Sequence, residues 1–135
     1  MFESKNISLV QICEQIHTGK MQIPNLQRSF RWKSELVSSL IGTICSGLPI
    51  GCILIRECGN SNGHFSPRPI DGVILDKPAD PEYLILDGQQ RMTSLYSVIY
   101  SQNPIKFITK TKRKIEYYWY YIDINKALDP YYYLE

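Results

Sequence analysis

At 135 residues the chain has the length of about one domain, and an apolar share of 44% is enough for a real core. A formal net charge of +2 is too small to announce a nucleic-acid binder, so only a local basic patch would make it one. No apolar run is long enough to span a bilayer, and the start MFESKNISL lacks a signal peptide's basic and apolar segments; the expected location is the cytoplasm, with no membrane partner.

Ser8 begins the first predicted helix, with Gln11 three positions on as its capping-box partner. Leu9, Ile12, Cys13 and Ile16 form one apolar face, and Gly19 supplies the stop. Residues 21–32, MQIPNLQRSFRW, read as an extended segment leading into a turn, because Pro24 holds the backbone open and the polar alternation is imperfect. Two readings of this segment stay open: a polar edge with a buried Trp32 anchor, or Gln27 and Arg28 offered to an anionic ligand with Trp32 packed beneath. Leu36, Val37, Leu40, Ile41 and Ile44 mark a second amphipathic helix, closed by Ser46, Gly47 and Pro49, and residues 51–55 read as a short apolar strand.

Residues 57–82 are the least regular part. Their glycines and prolines enclose one brief apolar run, residues 70–75, in which Val73, Ile74 and Leu75 follow Asp71-Gly72 as a strand-like stretch. The segment is either a lid or an insertion of no consequence, and the second is the simpler expectation.

The chain is organised around residues 83–100, YLILDGQQRMTSLYSVIY. Residues 83–86 form a continuous apolar run of the kind a buried strand shows, and Met92, Leu95, Tyr96 and Ile99 then repeat at helical spacing. A strand therefore runs into a helix through Asp87, Gly88, Gln89, Gln90 and Arg91. Asp87 as N-cap and Gln90 as capping-box partner explain part of this turn in purely structural terms. Arg91 is left over, because a cation in the first turn opposes the helix dipole unless something anionic sits there. The alternative is a phosphate site built on the helix start.

Residues 105–109 and 115–124 read as two strands of a hairpin around a basic turn carrying Lys110, Lys112, Arg113 and Lys114. With Tyr117, Tyr118, Trp119, Tyr120 and Tyr121 nearby, that turn is a candidate for nucleic-acid binding; solvated charge on a hairpin tip explains the same residues more cheaply. The end, ALDPYYYLE, leaves tyrosines and Leu134 in need of a partner, so residues 1–135 are expected to be one domain at the N-terminus of a longer chain. Leu134 and Glu135 read equally as native or as a cloning scar. Cys13, Cys45, Cys52 and Cys58 have no close pairing and read as small buried residues; a metal site from Cys52, Cys58 and His64 is the less economical reading. His17 and His64 read as ordinary surface residues.

Two motifs in order, Ile23-Pro24-Asn25-Leu26-Gln27-Arg28 with Trp32 and Leu86-Asp87-Gly88-Gln89-Gln90-Arg91-Met92-Thr93-Ser94-Leu95, resemble the N-terminal domain of the GmrSD-type restriction endonucleases, a ParB/sulfiredoxin-like family of prokaryotic defence proteins. Leu48-Pro49-Ile50-Gly51 fits as well, with Gly51 where the family often has proline. The resemblance implies an α/β (α+β) domain with a small mixed sheet and flanking helices. It also implies NTP binding and hydrolysis with Mg²⁺, coupled to a nuclease domain beyond these residues that cuts modified foreign DNA. On this reading Asp87 holds Mg²⁺ or the attacking water, and Gln89 and Gln90 orient phosphate or water. Arg91 neutralises developing charge, while Gln27, Arg28, Gly88 and Thr93 complete the nucleotide site. No HNH motif and no cysteine at the phosphate turn are present, so neither DNA cleavage nor sulfiredoxin chemistry is expected of this chain. A DNA-binding module without NTP turnover and a purely structural interaction domain are the competing classes.

Overall fold

The computed structural model describes residues 2–59, 66–109, 114–129 and 131. Helix α1 (Leu9–His17) opens on the expected reciprocal cap: the Gln11 amide donates to Ser8 Oγ at 3.2 Å, and Ser8's amide donates back to Gln11 Oε1 at 3.4 Å. Cys13 and Ile16 are buried on its inner face. Strand β1 (Met21–Pro24) is buried along its whole length and is an inner strand of the main sheet.

Helix α2 (Ser34–Cys45) then leads to β2 (Leu54–Glu57), β3 (Pro67–Arg68), β4 (Tyr83–Asp87) and α3 (Gln89–Leu95). The sheet order is β2-β4-β1-β3. β1 and β4 are parallel neighbours, with Met21 opposite Tyr83, while β2 and β3 pair antiparallel at the edges. Parallel pairing puts the carboxyl ends of β1 and β4 side by side, so the chain that follows Pro24 and the chain that follows Asp87 leave the sheet at one place. Crevices at such strand ends are where open α/β sheets bind ligands. The architecture is thus the expected mixed α/β one.

Several local expectations are corrected. The apolar stretch at residues 51–55 becomes a strand only from Leu54, because Gly51 takes φ +86° and turns the chain first. Residues 70–75 form no strand: Asp71-Gly72 is a turn closed by the Val73 amide on the Ile70 carbonyl at 3.1 Å, and the segment's strand is β3 instead. That segment is no idle insertion, since β3 completes the sheet and Ile70 is buried in the core. Ile99 is half exposed, although Met92, Leu95 and Tyr96 are buried. Beyond Leu95 the helix widens into a π segment (Tyr96–Tyr100), with the Ser101 amide reaching back five residues to the Tyr96 carbonyl, and the extra residue rotates Ile99 outwards.

The hairpin is present as β5 (Ile105–Ile108) and β6 (Ile115–Tyr118), a separate two-stranded sheet; its second strand stops short of the predicted end, and α4 (Ile124–Leu128) follows. Of the four cysteines only Cys13 is fully buried, and burial pushes its thiol up to about 11; Cys45 and Cys52 are exposed and Cys58 partly so. His17 is exposed as expected, but its Nδ1 lies 2.9 Å from the buried Tyr96 hydroxyl. His64, Leu134 and Glu135 lie outside the described residues.

Candidate functional site: a groove at the ends of β1 and β4

A groove of about 550 Å³ opens where the two parallel strands end, walled by residues 26–28 and Trp32 on one side and residues 86–91 on the other. Its volume lies in the range that small-molecule sites occupy. The two polar motifs, some sixty residues apart in sequence, meet here. The meeting is held by amide side chains. Gln27 Nε2 donates to the carbonyls of Ile85 (3.0 Å) and Leu86 (2.9 Å), and Gln89 Nε2 donates to the Arg28 carbonyl at 2.6 Å. Gln90 accepts from the Arg31 amide at 2.8 Å and donates to the Ser29 carbonyl at 3.3 Å. Gln89 and Gln90, expected to orient phosphate or water, thus brace the opposite wall with their side chains.

The capping-box explanation of the turn fails. The helix N-cap is Gly88, not Asp87, and no side chain caps the helix start. Gly88 adopts φ +92°, and a Cβ there would stand 2.4 Å from Ile53 Cδ1. The backbone favours glycine, and any larger residue would also displace the Ile53 side chain. Asp87 is left 76% exposed on the groove lip, free of any capping duty.

Arg91 has partners that sequence did not reveal. Its Nη1 donates to the Ile50 carbonyl at 2.6 Å and its Nη2 to the Cys52 carbonyl at 3.0 Å, with Asp87 Oδ2 at 3.8 Å from Nη2. Gly51, in between, presents both carbonyls by its positive φ, and a Cβ on it would come within 2.9 Å of Arg91 Nη1. The helix-start cation is therefore answered first by backbone oxygens. Proline is incompatible with φ +86°, so this turn could not form as it does with proline at position 51. Thr93 is buried and does not line the groove.

Arg68 and Asp71 were missed by sequence reasoning. Arg68 Nη2 donates to the carbonyls of Gln27 (3.1 Å) and Arg28 (3.3 Å), and its Nη1 pairs with Asp71 Oδ1 at 3.0 Å. Asp71 Oδ2 also accepts the Phe30 amide. The repeated Asp-Gly dipeptide was the available signal: Asp71 of the first copy holds the same loop that Gln89 and Gln90, just after the second copy, also hold. On the hairpin, Lys110, Lys112 and Arg113 lie outside the described residues, and Lys114 pairs with Glu116 at 3.3 Å.

Among the described residues Asp87 is the one carboxylate on the groove walls, and no three His, Cys, Asp or Glu side chains converge on a metal position. A single exposed carboxylate suits Mg²⁺ brought in with a phosphate ligand, since that ion commonly keeps water and substrate oxygens in its shell. It does not suit a closed protein cage.

The chain is 34% identical over 132 residues to the uncharacterized protein MJ0686 of Methanocaldococcus jannaschii, covering 94% of this chain and 21% of that protein. It thus spans about a fifth of this relative's length. No solved structure matches it. The family model of the GmrSD restriction endonuclease N-terminal domain matches residues 9–133, which takes in both walls of the groove, and the chain belongs to that family.

Proposed function

We propose that this domain binds a nucleoside triphosphate in the groove at the ends of β1 and β4 and hydrolyses it, as the regulatory part of a modification-dependent DNA restriction system. The observation that supports this most is the mixed lining of the groove. An uncapped helix start at Gly88, the exposed Asp87 and the exposed Arg28 share it with the apolar side chains of Leu26, Leu86 and Trp32. A ligand that joins an anionic group to a flat apolar ring suits that lining.

In this reading the backbone N–H groups following Gly88 receive phosphate oxygens. Arg28, with no ion pair among the described residues, supplies the mobile positive charge. Arg91, on the groove wall, holds the Ile50–Cys52 turn and adds its field to the helix start. Asp87 would hold Mg²⁺ or position the attacking water, and Mg²⁺, when bound, would supply positive charge to the phosphates. Water attacks the terminal phosphorus as the bond to the bridging oxygen breaks, giving nucleoside diphosphate, inorganic phosphate and a proton released to solvent. The nuclease, and the DNA it acts on, engage parts of the protein beyond this chain.

The test is thermal melting with each NTP and Mg²⁺. At a hundredfold excess over Kd a ligand stabilises by about 2.7 kcal/mol, which is readily seen. Arg28→Ala and Asp87→Asn, both exposed changes, should leave the ligand-free melt in place and abolish or shrink the shift. A wild-type melt that no NTP moves would overturn the reading.

A further inference from the structure

We infer that Arg68 and Asp71 are positioning residues for the groove, acting through Arg28. The inference rests on the nucleotide reading of the groove for its ligand, but its geometry stands without it.

The argument concerns peptide planes. A trans peptide is rigid, so a residue's orientation is set once the planes before and after it are fixed. Arg68 Nη2 donates to the carbonyl of Gln27 and to the carbonyl of Arg28, which belong to the two planes flanking the Arg28 Cα. Gln89 donates to the same Arg28 carbonyl from the opposite wall. With both planes held, the Arg28 side chain leaves the backbone in one direction, into the groove it lines. Asp71 orients the device: one carboxylate oxygen pairs with Arg68 Nη1 and the other accepts the Phe30 amide two residues further along.

The pair holds the loop from outside the groove lining. Neither residue lines the groove, and both are partly shielded, with side chains 22% and 34% exposed, so their bonds are better protected from water than those of a surface pair. A planar guanidinium reaches two carbonyls and a carboxylate at once; a lysine ammonium has no such fork.

The test is a double-mutant cycle on nucleotide affinity, measured by calorimetry with NTP and Mg²⁺ on this chain: wild type, Arg68→Ala, Arg28→Ala and the double variant. Arg68→Ala should weaken binding roughly tenfold, and in the Arg28→Ala background it should add almost nothing, because the group it positions is gone. Additive losses, or no loss from Arg68→Ala, would overturn the inference. Amide exchange without any ligand separates this from the functional reading: residues 27–31 should exchange faster in both Arg68→Ala and Asp71→Asn than in wild type. Faster exchange in a protein that binds no NTP keeps the bracing and sinks the nucleotide reading. Unchanged exchange in these residues sinks the bracing itself.

Discussion

Arg91 sits between two glycines, and each is required for a different reason. At Gly88 an added Cβ meets Ile53 Cδ1, the end of a side chain that can swing aside, so the lasting penalty is the left-handed backbone. At Gly51 the added Cβ meets a guanidinium pinned by two carbonyls, and moving it breaks those bonds. Gly51→Ala should therefore destabilise by about 2–3 kcal/mol and Gly88→Ala by about 1–2 kcal/mol, combining backbone strain with lost hydrogen bonds at the first site. Urea unfolding of the two variants checks the order; equal losses would mean that the Arg91 bonds contribute little. Thr93 gives the opposite prediction. Its Oγ1 is buried without a hydrogen-bond partner among the described residues, so Thr93→Val, which keeps the shape, should be neutral or stabilising by up to ~1 kcal/mol. A nucleotide contact from Thr93 would instead show as a loss of NTP binding in that variant.

At the scale of elements, the hairpin of β5 and β6 shares no ladder with the main sheet among the described residues and is fastened to α2 by side chains. Tyr120 is one fastener: its hydroxyl donates to the Ser34 carbonyl at 3.2 Å. Burial, then the nearby charges of Glu35 and Tyr118, push that hydroxyl up to about 12 from an ordinary 10.0. A raised folded-state value means that the protonated form is favoured in the fold. The contribution is complete below pH 10 and is lost as pH rises through about 12. Tyr120→Phe should cost about 1 kcal/mol at neutral pH and remove this step from the stability-versus-pH curve. A curve unchanged between pH 10 and 12 would show that the hydroxyl is not a fastener. Legibility at this scale followed the range of the cause. The α1 cap, the strand-to-helix switch at residues 83–95 and the hairpin were readable because each is set by residues a few positions apart. The helix start was misread because Asp87 fits an N-cap by type, whereas the close approach of Ile53 and Arg91 puts Gly88 there. The role of Arg68 was invisible because the carbonyls it holds lie about forty positions away and leave no periodic trace. The convergence of the two polar motifs followed from the parallel pairing of β1 with β4, which no local pattern encodes.

At the scale of the whole molecule the described residues form two cores of unequal size, and opening should reflect them. The larger gathers Cys13, Ile16, Met21, Ile23, Ile85 and Leu95 around the main sheet; the smaller has Val37, Ile105 and Phe107 under the hairpin. A two-stranded sheet on so small a cluster is marginal by itself, so amides of β5 and β6 should exchange faster than those of β1 and β4. The two cores are nevertheless joined through the groove wall. Trp32 packs on both clusters, and Phe30, whose amide Asp71 holds, places its ring 5.9 Å from that of Phe107. Opening the hairpin strips packing from this wall, and a ligand seated against the wall must oppose that opening. Saturating NTP should therefore slow exchange in β5 and β6 on the order of tenfold or more, although neither strand lines the groove. Protection confined to residues 26–32 and 86–91 would mean that the hairpin opens independently of the wall. Equal exchange in all four strands without ligand would mean that the two cores unfold as one.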